Sequence, residues 1–176
     1  ELFISSLPDL KPKAMVSLMY SSGIRVGELC SLRYCDIQRK NMRIHVTHSK
    51  NRSDRYAILS QKALDILTEY WFAYNRPTGW LFPKQTDPSR PIDTFYIMRH
   101  MRAHEDSLGW EHRITCHSFR HAFGTHLYEN GADLLTIKTL MGHKSLNSTL
   151  LYIHLASYQA RNVISPFDRI GGGSLE

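Results

Sequence analysis

Between Thr115 and His154 the chain places His117, Arg120, His143 and Tyr152 on segments that read as helices or the junctions between them. Two upstream cations stand out beside them. Arg25 falls at the expected N-terminus of a short helix, where the macrodipole favours negative charge, so a cation there makes sense only if an anion is brought to it. Lys50 sits at the tip of a polar turn over 48–54, where it can reach away from the flanking strands. A phenol, two guanidiniums, two imidazoles and an amine together suit attack on a phosphodiester. Attack by a tyrosine oxygen builds negative charge on the phosphoryl oxygens, and guanidiniums meet those oxygens with forked, charge-assisted hydrogen bonds. Preorganised donors of this kind are each worth about a hundredfold to a thousandfold in rate. With a reference pKa of about 10, only about one tyrosine phenol in a thousand is ionised at neutral pH, so Tyr152 needs help. His117 can take or share its proton or buttress the phosphate, His143 can donate to a nonbridging oxygen, and Lys50 suits protonation of the departing oxygen.

Each of these residues also has a plainer reading. Arg25 can pair with Glu28, three residues on. Lys50 can be a solvated lysine, His117 a helix cap, Arg120 a surface cation and His143 a donor at a helix C-terminus. Tyr152, among Leu150, Leu151 and Ile153, can be a core aromatic. One shared site accounts for all six more economically than six separate explanations.

The 176 residues, 42% hydrophobic, suffice for one compact domain over 1–170 and are marginal for two. Lys and Arg number 22 against 16 acids, giving a net charge of +6 and a pI near 9.3, an excess that attracts polyanions such as nucleic acid. Cys30, Cys35 and Cys116 are scattered and read as reduced thiols. No apolar run is long enough to span a bilayer, so no membrane partner and a cytoplasmic location are expected. Residues 171–176, GGGSLE, read as a flexible linker and expression scar. There is no GxxxxGK[ST] phosphate loop and no HExxH. His100 and His104, and likewise His117 and His121, stand four apart on a helix face and make half of a zinc site, but no second half is near, so no metal is expected.

Positioning falls to an α+β chain, mostly helical. The spacing predicts helices over 12–21 with a stop at Gly23, over 25–32, and over 61–75. Alternation over 42–46 and 55–59 predicts strands of a small antiparallel sheet flanking the Lys50 turn. Pro77, Gly79, Pro83, Pro88 and Pro91 break the chain into a loop anchored by Trp80, Leu81 and Phe82. Asp93 should cap a helix running to Leu108, Ser118 one running to Gly131, and Asp133 one ending at Gly142. Ser145 or Asn147 begins a short turn that delivers Tyr152, and 157–164 reads as a further helix. Arg52, Arg55 and His121 are candidate DNA-backbone contacts among many cations.

Four boxes, YSSGIRVGEL (20–29), TCHSFRH (115–121), LMGH (140–143) and TLLYIH (149–154), occur in order with Lys50 on its turn. Together they resemble the tyrosine recombinase (phage integrase) family over nearly the whole chain. The resemblance implies that family's catalytic-domain fold with a three-stranded antiparallel sheet. It makes Arg25 and Arg120 the two catalytic arginines, His117 and His143 the histidine positions, Lys50 the strand-turn lysine, Tyr152 the nucleophile and Glu28 the acidic partner of the first arginine. Ser22 stands where threonine is frequent, and Met141 where leucine is. The implied activity is site-specific strand exchange on double-stranded DNA through a 3′-phosphotyrosine. That link conserves the energy of the broken phosphodiester, so neither cofactor nor metal is required. The resemblance also implies an N-terminal DNA-binding domain outside this sequence and a homotetramer on DNA, the isolated domain being a monomer. Type IB topoisomerase-like relaxation and a catalytically silent DNA-binding module of the same fold are the rival readings.

Overall fold

The computed structural model describes residues 2–47, 54–143 and 145–155. The turn expected around Lys50 and Arg52, the helix expected over 157–164 and the tail 171–176 lie outside these residues.

The second helix is the one the others are built on. After a single turn, α1 (Leu2–Ser5), helix α2 (Leu10–Ser22) buries Ala14, Met15, Val16, Leu18 and Met19, residues that cover more than one of its faces. A helix apolar on several sides belongs in the middle of a domain. It ends at Gly23, whose φ of 63° and bond to the Met19 carbonyl form a left-handed cap. A side chain at Gly23 would be strained by that φ and would collide with the Phe123 ring. The chain then enters α3 (Val26–Cys30), with Arg25 at its N-cap.

Strands β1 (Ile37–Gln38), β2 (Arg43–Val46) and β3 (Arg55–Ile58) form the three-stranded antiparallel sheet, in that order. Ile44 pairs with Ala57 and Val46 with Arg55. The pleat therefore turns Ile44, Val46 and Ala57 into the core and leaves Tyr56 and Ile58 outside. Arg55 lies on the inward set. Helix α4 (Gln61–Ala73) is capped by Ser60 Oγ, which accepts from Ala63 N at 3.2 Å, and buries Ala63, Leu64, Leu67 and Tyr70 at helical spacing. It stops short of the expected Asn75 because Asn75 and Arg76 take positive φ of 58° and 54°. In the loop that follows, Leu81 and Phe82 are fully buried anchors.

Helix α5 (Thr94–Ser107) begins where Asp93 Oδ1 accepts from Tyr96 N at 3.0 Å. Helix α6 (Cys116–Glu129) is capped by Thr115 rather than by Ser118. Thr115 Oγ1 accepts from Ser118 N at 3.2 Å and Ser118 Oγ accepts from Thr115 N at 3.1 Å, so the two hydroxyls serve each other's backbone and the true cap lies one turn earlier. Helix α7 (Leu134–Met141) is capped by Asp133, which accepts from the N–H groups of Leu135 and Thr136 at 2.9 Å, and ends at Gly142 with φ 61°. The last described element is a nine-residue helix, α8 (Asn147–Leu155), where only a short turn was expected.

Helices α4, α5 and α6 all pack on α2, and the main core lies between them and the sheet. A second, smaller cluster of Phe123, Ile137, Met141 and Tyr152 joins α6, α7 and α8. Among the described residues no helix is long and apolar enough to cross a membrane.

Candidate active site

Arg25 and Glu28 meet at the start of α3. Glu28 Oε2 accepts from the Arg25 backbone N–H at 2.9 Å and Oε1 from its Nη1 at 2.9 Å. The plain pairing and the orienting role are thus one geometry, and the carboxylate also satisfies the helix terminus. Arg55 reaches the same carboxylate from β3, Nη2 to Oε2 at 2.8 Å and Nη1 to Oε1 at 3.2 Å, while its Nε donates to the Leu140 carbonyl at 3.2 Å. Burial works to raise the Glu28 pKa, but the hydrogen bonds from Arg55 and from the Arg25 backbone, with the Arg55 charge, bring it down to about 2.

Arg120 projects from α6 and is 2% exposed. Its Nη1 donates to the Gly23 carbonyl and its Nη2 to the Met141 carbonyl. One guanidinium therefore ties the chain two residues before Arg25 to the chain two residues before His143. Burial first, and then the nearby Arg25 charge, lower its pKa to about 10, so it stays charged at neutral pH.

The Gly142 turn delivers His143, whose Nδ1 lies 2.9 Å from Thr149 Oγ1 of α8. With Thr149 donating, the neutral ring carries its hydrogen on Nε2 and presents a donor. Burial, followed by the charges of Arg120, Arg25 and Arg55, lowers the His143 pKa to about 4. The His143 ring is nearly parallel to that of Tyr152, at 14° with centroids 6.0 Å apart.

Tyr152 is 2% exposed and lies against Gly124 of α6, in the space a side chain there would need. Burial raises the pKa of its phenol, and the charges of Arg120 and Arg25 offset that rise only in part. His121 meets this ring at 61° with centroids 6.0 Å apart, and meets His117 edge to face at 4.2 Å. His117 is exposed, whereas His121 is half-buried, with its pKa lowered by burial and by His117 and Arg120.

Arg25, Glu28, Arg120, His143 and Tyr152 thus converge, with His117 and His121 along the α6 side. Lys50 and Arg52 lie outside the described residues. Arg55 is not where a backbone contact is expected: its side chain is 8% exposed and faces Glu28 and Leu140. The strand alternation carried that signal, since Arg55 shares a face with Ala57. Thr149 and Gly124 were likewise missed as site residues. A lone glycine inside the α6 pattern was the clue to the second, because such a residue marks a close approach. His100 Nδ1 lies 2.7 Å from the Tyr96 carbonyl and His104 Nε2 3.0 Å from Ser6 Oγ, so each ring of that pair has its own partner. Among the described residues no group of three or more His, Cys, Asp or Glu side chains is arranged to hold a metal ion.

Arg25, Glu28, Arg120, His143 and Tyr152 brought to one place by an α+β domain of this topology define a tyrosine recombinase-type catalytic domain, and the chain belongs to the phage integrase family, which it matches over residues 5–159. It is 37% identical over 166 residues to y4eF of Sinorhizobium fredii, named provisionally as an integrase/recombinase, covering 94% of this chain and 65% of that protein. It is 30% identical over 163 residues to the tyrosine recombinase XerD of Yersinia pestis, covering 88% of this chain and 53% of that one. The crystal structure of XerA recombinase superposes with a TM-score of 0.79 at 30% identity, covering 88% of this chain and 56% of XerA. The XerH site-specific recombinase bound to its difH substrate shares the fold, with a TM-score of 0.74 at 21% identity, covering 87% of this chain and 47% of XerH. The chain spans about half to two thirds of the length of these relatives.

Proposed function

We propose that this chain is the catalytic part of a site-specific DNA recombinase that cleaves and rejoins strands through a 3′-phosphotyrosine intermediate. The observation that carries the reading is the bridge made by Arg120. Its guanidinium holds the Arg25 segment and the His143 turn at once, four residues before the glycine on which Tyr152 rests. Two cations, an imidazole donor and a phenol are thereby brought to one place, the set of groups that one phosphate would need.

In the proposed reaction the Tyr152 oxygen attacks phosphorus and gives its proton to His117 or to a base that His117 positions. The bond from phosphorus to the 5′ oxygen breaks, and Lys50 protonates the departing oxygen. Arg25, Arg120 and His143 stabilise the charge that develops on the nonbridging oxygens. Rejoining runs the same steps backward with a 5′ hydroxyl from another strand. Double-stranded DNA as partner is supported by relatives whose structures are DNA complexes, such as XerH with difH and lambda integrase with a core site. By the same likeness the whole protein carries an N-terminal DNA-binding domain and works as a homotetramer on two duplexes.

The test is covalent trapping on a pool of nicked duplexes with randomised arms, quenched in detergent. The wild type forms an adduct whose modified peptide contains Tyr152, and Tyr152→Phe forms none. A folded wild type that yields no adduct overturns the reading, and an adduct retained by Tyr152→Phe overturns the nucleophile.

A further inference from the structure

Glu28 is shared between two arginines of unequal exposure. The Arg55 and Glu28 side chains are 8% and 10% exposed, whereas that of Arg25 is 31% exposed. Arg55 engages both carboxylate oxygens with two nitrogens, and Arg25 engages one oxygen with one side-chain nitrogen. Among the described residues that is the one hydrogen bond made by the Arg25 side chain, a group with five N–H donors.

A carboxylate left alone beside one arginine tends to close on it as a two-pronged pair, both oxygens on both terminal nitrogens. Such closure would occupy the edge of Arg25 best shaped for a phosphate. Arg55 forestalls it by taking the fork itself. Two guanidiniums and one carboxylate also leave a net positive charge in the cluster, and Arg25 is its most exposed member. On the far side, Arg55 Nε holds the Leu140 carbonyl, and its side chain fills the space beside Gly142, where an added Cβ would meet Arg55 Cδ at 2.7 Å. That contact supports the turn leading to His143. The same residue begins β3, the first strand after the segment that holds Lys50.

We infer that Arg55 is a positioning residue of the proposed cleavage reaction, holding Glu28 by its own fork so that Arg25 keeps a free edge for the scissile phosphate. The inference rests on the recombinase reading, and wild-type adduct formation in the same assay separates the two. If the wild type forms no adduct, the reading fails; if it does and Arg55 proves dispensable, only this inference fails.

The experiment uses the best-cleaved duplex from the pool, with Arg55→Lys and Arg55→Ala, each in the wild-type and the Glu28→Gln background. Single-turnover cleavage at saturating protein should fall at least about tenfold in Arg55→Lys, because an amine keeps the charge but cannot make the fork. The salt slope of DNA binding should not change, whereas an arginine that neutralises a phosphate accounts for about 0.9 of that slope. In the Glu28→Gln background the further loss from Arg55→Lys should shrink to less than about threefold, since Arg55 acts through Glu28. A purely structural role would give losses that multiply and that follow the melting temperature. Arg55→Ala should lose more cleavage than Arg55→Lys, and if the alanine variant does not fold, the lysine variant decides. Overturning results are Arg55→Lys cleavage within threefold of wild type, a salt slope reduced by about one, or losses that multiply across the two backgrounds.

Discussion

The ring of Tyr152 lies where a Cβ on Gly124 would be, with the ideal Cβ position 2.6 Å from Tyr Cζ and 2.7 Å from Cε1. The phenol is located by the absence of a side chain on α6, one turn after Arg120. Gly124→Ala should therefore push the ring outward. Overpacking costs about 1–3 kcal/mol and the helix regains about 1 kcal/mol from replacing glycine, so the net loss of at most about 2 kcal/mol should lower melting by at most about 8 °C. Cleavage should fall about a hundredfold, the scale associated with a misplacement of about 1 Å at a reacting centre. Single-turnover trapping beside a thermal melt checks this, and a wild-type rate would show that the seat has no catalytic consequence.

Arg120 satisfies two buried carbonyls, those of Gly23 and Met141. Arg120→Met leaves both without their donor, at about 1–3 kcal/mol each. A domain of this size loses about 2–4 °C of melting temperature per kcal/mol, so a marked drop is expected. Arg120→Lys, which can reach one carbonyl at a time, should fall between the two. Calorimetry of the three proteins measures the order, and equal melting for methionine and wild type would contradict the bridge.

Acid should destabilise the protein in two windows. His143 titrates near 6.5 when unfolded and near 4 in the fold, so between those values the unfolded chain binds more protons. Its contribution is fully present above about pH 6.5 and is lost as pH falls through about 4. Glu28 moves from 4.5 to about 2, so its contribution is present above 4.5 and is lost as pH falls toward 2. Melting temperature measured from pH 7 down to 3 should decline through both windows. His143→Gln should flatten part of the upper one, with some slope persisting from His121, whose pKa is also lowered. An unchanged profile in His143→Gln would remove His143 as the source.

Cleavage should proceed at an unchanged rate in excess EDTA. In the proposed reaction the charge on the phosphate is met by guanidiniums, and a phosphotyrosine would conserve the energy needed for rejoining. Trapping with and without chelator measures this, and a rate restored only by a divalent cation would contradict it.

Where local chemistry decides structure, the chain was readable. Gly23 and Gly142 end helices with left-handed backbones, and Asp93 and Asp133 begin them with side-chain caps. Short elements were harder: α1 has four residues and β1 two, too few for a period to show. The α6 start was placed late because Thr115 and Ser118 are both good caps, and only the packed helix shows which one is outside it. The boxes around Arg25, Arg120, His143 and Tyr152 were visible as motifs. Arg55 belongs to none of them: the strand alternation places it on the inward face, but its partner Glu28, 27 residues away, shows only in the fold.

Tyr152 belongs to the smaller of the two apolar clusters, with Phe123, Ile137 and Met141, and not to the core around α2. Segments held by fewer buried contacts open at lower free energy than the whole domain. Backbone amides of α7 and α8 should accordingly exchange with deuterated solvent sooner than those of α2 and α4. The proposed nucleophile would then ride on a unit whose local opening leaves the arginine-bearing scaffold folded, which uncouples its motion from the lifetime of the domain.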